Sequence, residues 1–340
     1  MKSIQATALS IDSLALVDAP KPEPRRGDLL VKVSAVSLNY RDLAVLSGAH
    51  IARPSLPFVP ASDACGIVAA VGADVTRFKL GDRVVPCYIQ GWRDGPMKRE
   101  QRNTTLGGPL PGVLQETIVV PSEDAVAAPA YMSDAEASTL PIAALTAWSA
   151  LQHGGIKPGD TVLVQGSGGV ALFALQFARA AGARVVALTS SAEKAAMLTR
   201  MGATAVIDYR KNPEWAGAVR EATGALGAEI IVETTGSSLA QSLGAVAFGG
   251  FIAMVGFLGG LEAPLSLRHL IGPTVRMHGI VVGSRAEFEA MCRAMALHEI
   301  RPVIDRIFAL DQVRDAFEHM RRAAHVGKIV IDVQGKGETA

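Results

Sequence analysis

The chain has 340 residues, 49% of them hydrophobic, and its 33 basic and 32 acidic side chains leave a net charge of +1. At about 100–200 residues per domain this is room for two folded domains with full cores. The balanced charge lacks the basic surface that nucleic acid or an anionic membrane face requires. No apolar run approaches the ~20 residues of a membrane span, and Met1-Lys2-Ser3-Ile4-Gln5-Ala6 does not open a secretory signal. The expected partner is therefore a small molecule, with no nucleic acid and no membrane, and the expected location is cytoplasmic. Cys65, Cys87 and Cys292 show no C-x-x-C spacing. They make neither a disulfide framework nor a four-cysteine zinc lobe, and are expected as reduced, packed thiols.

The first third alternates short β-like runs with Gly/Pro turns: Asp28 to Val36, Gly66 to Gly72, Gly81 to Pro86 and Leu114 to Pro121. This pattern predicts a compact β-rich, barrel-like module. Between the last two runs, Gln90 to Pro111 is polar and Gly/Pro-rich and is expected as a long surface loop. Loops of that length inside a compact domain are uncommon and often functional, so it is a candidate gate for a binding cleft.

From about Ser133 the pattern changes to helix and then to strand–helix alternation. Thr161-Val162-Leu163-Val164-Gln165-Gly166-Ser167-Gly168-Gly169-Val170-Ala171 joins an apolar strand to an apolar helix through closely spaced glycines. In this context Gly166 permits a tight turn, Gly168 lets backbone approach a pyrophosphate, and Ala171 fills the small third position where helix meets strand. The helix that follows aims its positive N-terminus at the same place. Gly166, Ser167, Gly168, Gly169 and Val170 are thus candidate dinucleotide-binding residues. Further strands are expected at Arg184 to Leu188, Ala205 to Asp208, Glu229 to Val232, Phe251 to Val255 and Met277 to Val282. Strand–helix alternation of this kind implies a parallel, doubly wound α/β sheet. A helix from about Ala286 to Leu297 and a strand from Lys328 to Val333 close the chain and are expected to return to the first module.

The second strand of that sheet ends Ala187-Leu188-Thr189-Ser190-Ser191, without the carboxylate that accepts a ribose 2′-hydroxyl in NAD-selective sites. Ser190, Ser191 and Lys194 instead offer donors and positive charge to a 2′-phosphate, which favours NADPH. The same serines also read as a cap for the next helix, and the two roles are compatible. Tyr209, with Arg210, follows the third strand within reach of the adenosine end. Glu233-Thr234-Thr235-Gly236 and Gly256-Phe257-Leu258-Gly259 stand at C-terminal strand ends, where ligands bind in open α/β sheets. Gly256, Phe257 and Leu258 are candidates for the nicotinamide side.

Five ordered motifs carry a resemblance over about Lys21 to Val333: Ser37-Leu38-Asn39-Tyr40-Arg41-Asp42-Leu43, Gly81-Asp82-Arg83-Val84, Leu140-Pro141-Ile142-Ala143-Ala144-Leu145-Thr146-Ala147-Trp148, the Gly-rich turn, and Gly327-Lys328-Ile329-Val330. The chain resembles the medium-chain dehydrogenase/reductase superfamily, and within it the zinc-independent, quinone-oxidoreductase-like branch. The resemblance implies a Rossmann domain inserted in a β-rich GroES-like catalytic domain, with boundaries at 1–122, 123–285 and 286–340. It also implies a homodimer, for which the apolar Met277 to Val282 strand is a candidate edge.

Zinc alcohol dehydrogenases of the superfamily carry Cys-His in the first motif and Gly-His-Glu before the next β-run. The matching residues here are Asn39-Tyr40 and Ala61-Ser62-Asp63, so no metal is expected. Without a Lewis acid, hydride transfer suits an acceptor that is already activated, either a quinone or an α,β-unsaturated carbonyl. The resemblance would project Asn39 and Tyr40 into the cleft between domains, with Tyr40 as carbonyl donor and proton source and Asn39 orienting substrate or cofactor. It also suggests Thr146 on the nicotinamide amide, and Ser284 and Arg285 at the cofactor or the dimer partner. Some relatives carry a Tyr five residues after the Asn, where this chain has Ala44, so that role does not transfer. Arg41-Asp42 reads as a structural ion pair. Two alternatives stay open: an NADP(H)-dependent alcohol or aldehyde oxidoreductase, and a noncatalytic NADPH-binding redox sensor.

Overall fold

The computed structural model describes residues 1–50, 53–260 and 262–335, and it divides into one unit built from 1–143 and from 284 onward and another built from 144–283. In the first unit β1 (Lys2–Ala6) and β2 (Leu14–Asp18) form an antiparallel pair. The long, Val-rich β3 (Asp28–Leu38) is the spine of a separate sheet. One edge of it pairs antiparallel with β4 (Asp63–Val71), which continues to β5 (Arg83–Pro86). Also paired with β3 is β6 (Thr117–Pro121), while β7 (Ala125–Ala127) extends β5.

Strand β7 and the helix Asp134–Ala137 lie in 123–143, which the expected boundary at 122/123 assigned to the central domain. They pack on β5 and on β3 and β4, so the first unit runs to residue 143. The return falls at 283/284 rather than 285/286.

The second unit is a six-stranded parallel sheet of β8 (Thr161–Gln165), β9 (Arg184–Thr189), β10 (Ala205–Asp208), β11 (Ala228–Glu233), β12 (Val246–Met254) and β13 (Arg276–Gly279). Its order is β10-β9-β8-β11-β12-β13. The chain first winds from β8 toward β10 and then from β11 toward β13, so the order reverses between β8 and β11. That reversal is the switch point at whose C-terminal edge ligands bind in this architecture. All five residues of β8 are buried, as expected of an apolar run covered on both faces. The helix Gly169–Ala180 then buries Ala171, Leu172, Phe173, Leu175 and Phe177.

After the helix Arg285–Leu297, the first unit is completed by β14 (Ile304–Ala309) and β15 (Lys328–Asp332). Strand β15 pairs parallel to β14 and antiparallel to β3, with Ile331 opposite Val36. The return of the C-terminal strand to the first module is therefore a main-chain ladder. Leu29, Val31, Val36, Phe317, Ile329 and Ile331 form part of one core there.

Candidate functional site

In the second unit the strand ends gather at one edge of the sheet. Gly166 leaves β8 with φ +81, a conformation that costs any residue with a Cβ, and its amide donates to the Leu188 carbonyl at 2.9 Å. Gly168 has an ordinary φ of −78, and a Cβ built on it would meet nothing within 4 Å. Among the described residues no atom accounts for a glycine there, whereas a ligand lying against the backbone would. Ser167 is buried, Gly168 is exposed, and Gly169 begins the helix.

The expected adenosine side also comes together. Asp208 stands beside Thr189 in the β9–β10 ladder, and Tyr209 donates its amide to the Thr189 carbonyl at 3.0 Å. Ser190 therefore follows a strand end adjacent to Tyr209, which is 41% exposed. Ser191 caps the helix Ala192–Arg200 by accepting from the Lys194 amide at 3.3 Å. That hydroxyl keeps its own proton to donate, and the Lys194 side chain has no ion-pair partner among the described residues. On the other flank, the amides of Val255 and Gly256 donate to the Glu233 carbonyl, and Phe257 and Leu258 are partly exposed. Thr146, 2% exposed, donates its hydroxyl to the Val281 carbonyl at 3.2 Å rather than to its own helix.

Ser284 and Arg285 have side-chain partners of their own. They belong to the first unit, where Ser284 caps the helix Arg285–Leu297 through Glu287. Arg285 pairs with Glu123 and gives its amide to the Trp92 carbonyl. Their side chains are committed to helix capping and an ion pair.

The first unit contains a buried polar cluster. Asn39 follows β3 and precedes the helix Tyr40–Leu46, whose Asp42 carboxylate accepts the Asn39 backbone N–H at 2.9 Å. Lys328, first residue of β15 and 4% exposed, donates Nζ to Asn39 Oδ1 at 2.5 Å and to the Leu38 carbonyl at 2.7 Å. Asp63, fully buried, accepts the Ile142 amide at 3.1 Å. Burial pushes its carboxyl up to about 7, against the pull of Lys328 and the Asn39 amide. Neither Asn39 Nδ2 nor Asp63 Oδ1 completes a hydrogen bond of normal geometry. Burial also raises Asp42 and lowers Lys328, whose two carboxylate neighbours oppose that fall. Tyr40, next in the chain, is 47% exposed.

Arg41 fastens the segment after Gln90. Its guanidinium donates to the carbonyls of Leu106, Gly107 and Gly108 at 3.0–3.1 Å, bonds Asp42 at 3.2 Å and lies over the Tyr88 ring. The expected surface loop is thus exposed only in part. Residues Thr105 to Gly108 are buried because three of their carbonyls need the donors that Arg41 brings.

The sequence matches the family models "Alcohol dehydrogenase GroES-like domain" over residues 25–130 and "Zinc-binding dehydrogenase" over 169–296. It is 39% identical over 337 residues to the zinc-type alcohol dehydrogenase-like protein C1773.06c of Schizosaccharomyces pombe, covering 95% of this chain and 97% of the relative. The chain belongs to the medium-chain dehydrogenase/reductase superfamily. A quinone oxidoreductase of Sus scrofa is 28% identical, with 92% of each chain covered. The fold matches a crystal structure assigned as an alcohol dehydrogenase from Sinorhizobium meliloti 1021, with TM-score 0.92, 42% identity and 98% of both chains covered. It also matches mycobacterial Rv1454c complexed with NADPH, with TM-score 0.83, 28% identity, and 98% of this chain and 100% of the other covered.

Membership in the superfamily makes this an oxidoreductase with a pyridine-nucleotide-binding fold. Two features escaped the sequence reading. Lys328 reads as the polar start of an apolar strand, and nothing local signals that it is buried. The Gln165 and Glu233 side chains meet across β8 and β11, a contact visible only once the strand order is known.

Proposed function

We propose that this protein is an NADPH-dependent, zinc-independent oxidoreductase that passes hydride to a quinone or to the β-carbon of an α,β-unsaturated carbonyl. The observation that carries the reading is the Lys328 ammonium bonded to Asn39 beside Asp63, at positions matched to zinc ligands in relatives. An amide and carboxyls around a resident ammonium do not fit zinc, which prefers thiolate and imidazole and would be repelled by the cation. The NADPH-bound relative and the quinone oxidoreductase relative agree with this direction.

The Gly-rich turn fits a dinucleotide, because Gly168 leaves open the space a Cβ would fill. Gly166, Ser167, Gly168, Gly169 and Val170 would hold the pyrophosphate, Ser190, Ser191, Lys194 and Tyr209 the 2′-phosphate and adenosine, and Thr146, Gly256, Phe257 and Leu258 the nicotinamide end. NADPH, when bound, supplies the hydride. Tyr40 donates a hydrogen bond to the acceptor carbonyl and a proton to the enolate, and Asn39, held by Lys328, orients the reacting groups. The molecule is proposed to act as a homodimer through its β13 edge, which sedimentation would test.

The test is NADPH oxidation with a panel of quinones, enones, enoyl thioesters and aldehydes, with and without a chelator. Turnover that requires an activated acceptor and survives chelation is expected, and loss on chelation with recovery on adding zinc would sink the proposal. The names of the S. pombe and S. meliloti relatives favour alcohol or aldehyde oxidoreduction as a second reading. Oxidation of an alcohol series with NADP+ would decide for it.

A further inference from the structure

At the switch point, the last residues of β8 and β11 are joined by their side chains. Gln165 donates Nε2 to Glu233 Oε2 at 2.7 Å and accepts the Thr234 amide on Oε1 at 3.0 Å. Glu233 is completely buried. Its Oε1 accepts the Thr235 and Gly236 amides at 3.0 Å, the Thr235 hydroxyl at 2.8 Å and the Ser238 hydroxyl at 2.9 Å, and Oε2 also accepts Ser242. Burial alone would raise this carboxyl, but hydrogen bonds from Ser242, Gln165, Thr235 and Ser238 outweigh it and hold it below its ordinary value. No cation is paired with Glu233 among the described residues. A buried carboxylate kept charged by donors alone is costly, and two well-packed apolar residues would fill the same space without that cost.

The residues it joins explain its place. Gly166 follows Gln165 directly and opens the Gly-rich turn, while Thr234 to Gly236 follow Glu233 and touch the Gly256–Phe257 segment. We propose that Glu233 and Gln165 are positioning residues for the cofactor: their carboxylate–amide pair sets the spacing between the turn and the Thr234–Gly236 segment. This rests on the dinucleotide reading of the turn. Neither residue needs to touch the cofactor for this role.

The pair can be reversed. Glu233→Gln alone sets two side-chain amides against each other, whereas exchange of the two residues (Gln165→Glu with Glu233→Gln) keeps a carboxylate opposite an amide. In the exchanged pair residue 165 still accepts the Thr234 amide, and residue 233 still accepts the Thr235 and Gly236 amides. The experiment titrates NADPH and NADH into the wild type, the single variant and the exchanged variant by fluorescence, and measures cofactor-free thermal unfolding of each. The expected result is about tenfold weaker binding in Glu233→Gln, with recovery of most of that loss in the exchanged protein. Unchanged affinity in the single variant overturns the proposal, as does a folded exchanged protein without recovery. Should Glu233→Gln fail to fold, Gln165→Met carries the same expectation of about tenfold weaker binding. A loss of affinity that only tracks a loss of folded protein also overturns the proposal. Wild-type protein that binds neither nucleotide would instead refute the dinucleotide reading itself.

Discussion

Lys328 Nζ and Asn39 Oδ1 lie 2.5 Å apart although 289 positions separate the residues in sequence. This bond ties the start of the last strand to the end of β3, in a cluster that also holds Asp42 and Asp63. Removing one member of a buried ionic group leaves the others without compensation, at a cost of about 3–5 kcal/mol. Lys328→Met is expected to lose that much in urea-monitored unfolding. A loss below about 1 kcal/mol would show that the ammonium contributes little to the cluster.

Asp63 gives the cluster a pH signature. Its carboxyl is raised from 3.8 to about 7, so between those values the folded chain holds a proton that the unfolded chain has released. Stability from this group is therefore fully present at low pH and declines as pH rises toward 7. Asp63→Asn is expected to flatten that decline in melting temperature plotted against pH, with Asp42 leaving a residual slope of the same sign. Parallel curves for variant and wild type would contradict the assignment.

Arg41→Met should release the segment it fastens. Three carbonyls lose their guanidinium donors, and the expected cost is about 2–4 kcal/mol. Limited proteolysis should then find new cleavage sites between Gln90 and Pro111. Lysine at this position should restore little, because a point ammonium does not span three successive carbonyls as a planar guanidinium does.

The two glycines of the turn should separate stability from binding. Gly166→Ala forces a Cβ into φ +81 and is expected to cost about 1–2 kcal/mol. Gly168→Ala has neither strain nor collision and should unfold within about 0.5 kcal/mol of wild type, yet bind NADPH more weakly. Equal affinity in that variant would remove Gly168 from the cofactor site.

What was readable in the sequence followed from local physics. The β8 run, the positive φ of Gly166 and the small Ala171 each follow from neighbours within a few residues, and so the parallel sheet and its Gly-rich turn were legible. Polar pairs formed across the fold were not. Arg41 bonded to Leu106, Lys328 to Asn39, and Gln165 to Glu233 depend on which strands and loops become neighbours. The same limit applies to Ser284 and Arg285, whose bonds to Glu287 three residues on and to Glu123 far upstream were not legible in the motif.

The ladder between β15 and β3 has a consequence for how the chain is made. Residues 144–283 form a contiguous segment whose six strands are all available once that segment has been synthesised. The N-terminal sheet has no such independence, because Val36 waits for Ile331. During translation the inserted unit can complete its fold while one margin of β3 still carries unpaired amides and carbonyls, an invitation to aggregation. A nascent chain truncated before Lys328 should therefore hold a finished nucleotide-binding unit and an unfinished partner, and the open margin of β3 closes only when the last strand arrives.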